Sequence, residues 1–125
     1  MWNGINRRKF PRANYKCLIS IKKRLTSKTI STQTENIGAG GICVMIKEDL
    51  GLFQGVDLEI FLDESTPPVK CGGTIVWVVK KTSPKEKGAP LYDTGIEFID
   101  IRPEDRDRIT DVVENIMTKG SSSKK

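Results

Sequence analysis

The sequence predicts a mainly β fold, a small six-stranded antiparallel β-barrel followed by one C-terminal α-helix. Three observations predict it. Short runs of alternating apolar and polar residues recur between positions 15 and 99. Clusters of Gly, Pro, Ser and Asp separate those runs. After Pro103 the apolar period lengthens from two residues to that of a helix. The 125 residues suffice for one closed core and are too few for two, and 37% hydrophobic with 30% charged residues is a globular balance rather than a disordered one.

Residues 15–21 alternate, with Cys17, Ile19 and Ile21 on one face of a half-buried strand. Residues 28–37 are rich in Thr and Ser and suit a solvated partner strand, with a hairpin turn near Thr26-Ser27. The cluster Gly38-Ala39-Gly40-Gly41 breaks the pattern before Ile42, Val44 and Ile46 resume it. Residues 56–62 set Val56, Leu58, Ile60 and Leu62 against Asp57 and Glu59, and the acidic, proline-bearing residues 63–68 end that strand. Residues 69–80 form the longest and most apolar strand, residues 82–90 a loop, and residues 95–99 close the sheet.

Ile109, Val112, Val113 and Ile116 fall on one helical stripe. Pro103 fits the first helical position, the exposed acids around Glu104 and Asp105 suit the helix dipole, and Gly120 with the Ser/Lys tail ends the helix. The expected organisation is a basic arm over residues 1–14, a barrel with its helix over 15–118, and a disordered tail over 119–125.

Composition excludes much. Without a histidine, imidazole acid–base catalysis, histidine metal ligation and a His-based triad are unavailable, so an enzyme is not expected. Cys17, Cys43 and Cys71 are odd in number and form no CxxC pair, which indicates neither a disulfide framework nor a zinc site, but small buried residues in a reducing compartment. The longest apolar run, Ile75-Val76-Trp77-Val78-Val79, falls far short of the ~20 residues of a membrane span. The first residues lack the apolar run of a secretory signal, so the cytoplasm is the expected compartment. No cofactor is implied.

Charge is unevenly placed. The net +5 comes from the front of the chain, where nine basic residues from Arg7 to Lys28 precede the first acid, Glu35. A basic segment on a mildly acidic body points to a localised anion site.

Two segments carry candidate chemistry. In Arg7-Arg8-Lys9-Phe10-Pro11-Arg12, Pro11 pushes Phe10 toward extended geometry, so Arg8 and Arg12 lie on an irregular arm rather than a helix face. Arginines so held can bind phosphate oxygens bidentately, pair with guanine O6 and N7, or stack on a purine; the plain alternative is a solvated basic terminus. In Glu35-Asn36-Ile37-Gly38-Ala39-Gly40-Gly41 the glycines permit positive φ and close approach of a ligand, and Asn36 offers a donor and an acceptor to a base edge. A tight turn or bulge is the alternative there. Cys43 stands where a dinucleotide fingerprint needs its third glycine, and no Gly-Lys-Ser/Thr follows for a P-loop.

Taken together, the segments resemble the PilZ domain family, whose signature is RxxxR in an N-terminal arm and D/N-x-S-x-x-G some twenty to thirty residues on. Arg8-Lys9-Phe10-Pro11-Arg12 matches the first motif; Asn36-Ile37-Gly38-Ala39-Gly40-Gly41 matches the second except that Gly38 replaces serine. The resemblance continues through Gly73-Thr74-Ile75-Val76-Trp77, Gly95-Ile96-Glu97-Phe98 and Arg102-Pro103-Glu104-Asp105-Arg106.

The resemblance implies a sensor of cyclic di-GMP. Arg8 and Arg12 would grip phosphates and guanine Hoogsteen edges, Asn36 would read a guanine, the Gly38 N–H would remain as a donor, and Gly41 would allow close backbone approach. Arg7 would favour an intercalated pair of ligand molecules over one. The arm would change conformation on binding and signal to an unidentified partner protein.

The alternative is a degenerate PilZ-like adaptor that has lost the nucleotide and acts through protein contacts, which Gly38 supports. Single-stranded nucleic acid is a disfavoured ligand, since aromatics are 6% of the chain and scattered. Trp77 reads as core or barrel rim, and Arg102, Arg106 and Arg108 among their acids as a solvated helix start with weak ion pairs.

Overall fold

A computed structural model describes residues 12–82 and 90–123, with side chains described for 13–82 and 90–116. The strands are β1 (Arg12–Ala13), β2 (Leu18–Lys23), β3 (Thr29–Gly38), β4 (Gly41–Ile46), β5 (Gly55–Phe61), β6 (Val69–Lys81) and β7 (Leu91–Ile99), followed by α1 (Pro103–Ser123). They run in the order β1-β3-β2-β5-β6-β7-β4, and β4 pairs back onto β3, closing six antiparallel strands into a barrel. The two-residue β1 is an addition to that ring. It continues the β2 edge of β3, pairing Arg12 with Gly38 and Ala13 with Ile37 where the β2 pairing, which runs from Lys22↔Thr29 to Leu18↔Gln33, has stopped.

Alternation decides what lies inside. Ile19 and Ile21 of β2, Ile42 and Val44 of β4, Val56, Leu58 and Ile60 of β5, and Ile96 of β7 are almost wholly buried. Each such side chain contributes roughly 1.5–3 kcal/mol by leaving water. The helix closes one side of this core with Ile109 and Val113 and packs against β1 and β3. No helix among the described residues is long and apolar enough to cross a membrane.

Two β-bulges interrupt the alternation, one between Thr34 and Asn36 and one between Ile75 and Trp77. Thr34 and Ile37 are both fully buried although three residues apart, which a regular strand forbids and one extra residue allows. Thr34 is satisfied inside: its N–H donates to Cys17 O at 3.0 Å, its hydroxyl donates to Tyr15 O at 2.6 Å, and the Cys17 N–H donates to Thr34 Oγ1 at 3.1 Å.

The structure departs from the sequence pattern in four places. The arm expected over residues 1–14 ends in a paired strand, β1. The last strand begins at Leu91 rather than Gly95, because residues 91–94 extend a ribbon with the end of β6. The helix runs past Gly120 to Ser123. And the helix start is not uniformly solvated. Asp105 is 2% exposed, accepting from Arg102 Nε at 3.0 Å and from Arg108 Nη1 at 3.4 Å. Arg108 Nη2 donates onward to Thr66 Oγ1 at 2.8 Å and Pro67 O at 2.7 Å, tying the helix to the β5–β6 loop.

Candidate functional site

Among the residues singled out by sequence, Asn36 and Gly38 lie at the end of β3, Gly41 begins β4, and Arg12 lies in β1. Arg7 and Arg8 lie outside the described residues, and Arg12 is described by its backbone. Gly38 pairs with Arg12 on one edge of β3 and with Gly41 on the other, so one position of β3 joins the end of the RxxxR segment to the glycine turn. The neighbouring pair Ala13 and Ile37 faces the core, so by alternation Gly38 lies on the other face of β3, where it is nonetheless buried.

The turn itself is two residues, Ala39-Gly40, and the Gly40 carbonyl accepts from the Phe98 N–H at 2.9 Å, fastening it to β7. Gly41 is required here for packing. A Cβ on it would collide with the backbone carbonyl of Ile96 on β7.

The bulge before Asn36 turns that residue to the outer wall, where register continues it into a row across four strands. Asn36 is opposite Cys43, Cys43 opposite Gly95, and Gly95 opposite Trp77. Three inter-strand steps make this row ~14 Å long. Its floor is low in the middle, where Cys43 is small and Gly95 has no side chain, and it ends at the indole. A Cβ at Gly95 would fall at 2.5 Å from both Cε2 and Cε3 of Trp77, so the ring lies across the β7 backbone.

Asp93, two residues along β7 on the same face, fixes the row. Its Oδ1 accepts from Cys43 Sγ at 2.9 Å and from Trp77 Nε1 at 3.4 Å. Trp77 is therefore an outer-wall residue beside the candidate site, not core, and sequence reading missed it together with Cys43 and Asp93. In the unbroken run Ile75-Val76-Trp77-Val78-Val79 nothing reveals which face the indole takes.

A cavity of about 450 Å³ lies on another wall between Ser20, Lys22, Asp57, Glu59 and Lys70, and contains none of these residues. It mixes both charges and adds nothing to an anion site. Among the described residues no group of three or more His, Cys, Asp or Glu is placed to hold a metal ion.

The profile of the PilZ domain matches residues 6–115. No curated protein matches the chain. Among solved structures it is similar to the Bacillus subtilis inhibitor of motility MotI/DgrA, at 21% identity and a TM-score of 0.71 over 90% of this chain and 52% of that one. It is also similar to the MrkH–c-di-GMP complex of K. pneumonia, at 15% identity and 0.76 over 93% and 55%. The PilZ domain of YcgR from Escherichia coli, with c-di-GMP, matches at 9% identity and 0.68 over 94% and 96%. The chain thus spans about half the length of the first two and nearly all of the third. With the family profile matched over residues 6–115 and a closed six-stranded barrel that carries a terminal helix, the chain belongs to the PilZ domain family.

Proposed function

We propose that the chain is a non-catalytic cyclic di-GMP sensor whose basic arm folds onto the barrel around the nucleotide. The observation that carries this reading is the register of β1 on β3, Arg12 opposite Gly38. It sets a guanidinium-bearing position beside the turn of the second motif, and Arg8 is tethered within ~14 Å of Arg12 whatever path the arm takes.

A ligand with two phosphates and two guanines asks for fixed guanidinium forks, an amide that reads a base edge, and a flat surface. Arg8 and Arg12 supply the forks, Asn36 the amide, and the Gly38 N–H a further donor. Trp77, at the far end of the row, supplies a surface for stacking. Arg7 pairs or stacks with a second ligand molecule. MrkH and the YcgR domain, which share this fold, have structures with c-di-GMP, and that supports the same ligand class here.

The signal leaves through α1 toward a partner protein. The helix packs on both β1 and β3, so ordering the arm alters the surface on which the helix rests. Calorimetric titration tests the reading: saturable binding in the native chain, lost in Arg8→Ala and in Arg12→Ala, is expected. Undiminished affinity in both variants rejects the site.

Gly38 favours one second reading, an adaptor that does not bind the nucleotide, since the motif's serine hydroxyl is missing. Its sign is the absence of saturable binding at tens of micromolar ligand, in the micromolar range where ~7 kcal/mol of binding energy is already detectable.

A further inference from the structure

Over residues 29–33, β3 is paired on one side only among the described residues. The bonds Thr34 N–H to Cys17 O (3.0 Å) and Lys23 N–H to Lys28 O (2.8 Å) set the phase of its ladder with β2. By antiparallel alternation, Ile30 and Thr32 direct their backbone N–H and C=O to β2, and Ser31 and Gln33 direct theirs away from it. The neighbour on that far side would be β4, but the β3–β4 pairing stops at Thr34↔Val44. On β4, the Phe98 N–H to Gly40 O bond sets the same alternation, so Met45 turns its backbone toward β3 while Val44 and Ile46 bond β7.

Beyond the bulge the two strands diverge around a cleft of about 340 Å³, lined by Ile30, Ser31, Thr32, Met45, Ile46 and Leu91. Ser31 and Gln33 are exposed. At the rim Glu48 is held by Lys28 Nζ at 2.8 Å and Lys23 Nζ at 3.2 Å, while Lys47 is exposed and has no ion pair among the described residues. The rim is therefore cationic on balance.

Main-chain groups repeated at strand spacing are matched by an extended chain and by little else. We propose that the opening between β3 and β4 is a strand-addition site for an extended segment of a partner protein that alternates apolar and acidic side chains. Its backbone pairs with Ser31 and Gln33, its apolar side chains enter between Ile30, Ile46 and Leu91, and its acids meet Lys47. A second copy of this chain docked edge to edge would bring two net-cationic rims together, which opposes self-pairing. The cleft lies at the other end of β3 from Gly38, so this site is independent of nucleotide binding.

Amide-resolved NMR of the full chain tests it with blocked hexapeptides alternating valine with glutamate, lysine or glutamine. The glutamate peptide is expected to slow hydrogen exchange at Ser31 and Gln33 at least tenfold. Methylating the peptide's pairing amides, or Ser31→Pro in the protein, should weaken binding about tenfold, each removing one or more main-chain bonds. Lys47→Glu, which leaves the backbone untouched, should shift preference to the lysine peptide. No protection at Ser31 and Gln33, equal binding of the methylated peptide, or a sedimenting dimer that protects the same amides without peptide overturns the proposal.

Discussion

Trp77 rests on Gly95. The indole covers the one position of β7 that has no side chain, and a Cβ there would intrude to within 2.5 Å of three ring carbons. The tryptophan end of the outer row therefore depends on a glycine on a neighbouring strand. Gly95→Ala should displace the ring, cost about 1–3 kcal/mol as an overpacking change, and weaken nucleotide binding. Chemical denaturation and ligand titration on a Trp2→Phe background, in which Trp77 alone reports by fluorescence, check both outcomes.

The two motif glycines should behave oppositely. Gly41→Ala drives a methyl into the Ile96 carbonyl and is expected to lower the unfolding midpoint without any ligand present. Gly38→Ser restores the hydroxyl of the family motif and should raise cyclic di-GMP affinity about fivefold, the equivalent of ~1 kcal/mol for one hydrogen bond. Thermal unfolding and calorimetry of the two variants separate packing from recognition.

Asp105 should matter more than its neighbours. Its side chain is 3% exposed between Arg102 and Arg108, of which the first is 65% exposed. Removing the carboxylate leaves Arg108 without its partner on the helix. Asp105→Ala should cost about 2–3 kcal/mol, below the usual figure for a fully buried pair because Arg102 is solvated. Glu104→Ala should stay within about 0.5 kcal/mol, as its ion pair with Arg102 spans 3.6 Å between exposed side chains. Denaturant midpoints check the contrast.

The Cys71 thiol should be slow to react. Burial, with Asp105 and Asp100 nearby, pushes it up to about 11. In the unfolded chain it titrates near 9, so the fold favours the neutral thiol; the stability this contributes is intact below pH 9 and is lost as pH rises through 11. Burial likewise raises Cys17, against a smaller lowering by the Thr34 hydroxyl. Thiol labelling at pH 8 should therefore be much slower in the folded protein than in denaturant, and unfolding midpoints should fall between pH 9 and 11.

The barrel was legible because alternation survives in most strands: Ile19 and Ile21, or Val56, Leu58 and Ile60, announce their face directly. What escaped were the interruptions. A bulge changes the face of every residue beyond it, and neither the one before Asn36 nor the one before Trp77 has a sequence mark stronger than a loss of alternation. The motif at residues 36–41 was legible as a turn, but the need for glycine at Gly41 comes from β7, some fifty residues away, and only three-dimensional register reveals it. Asp105 was misread for a related reason. A helix start crowded with charges looks solvated until the loop at Thr66 and Pro67 is seen to cover it.

Whether the arginine segment and the Asn36 turn enclose one ligand is decided by an amide and indole NMR titration of the full chain with cyclic di-GMP. Saturating shifts are expected, largest at Arg12, Asn36, Gly38 and the Trp77 Nε1–H, and vanishing in Arg12→Ala. Largest shifts on the wall around Ser20, Lys22 and Asp57, or a spectrum that does not respond to the nucleotide, would contradict that enclosure.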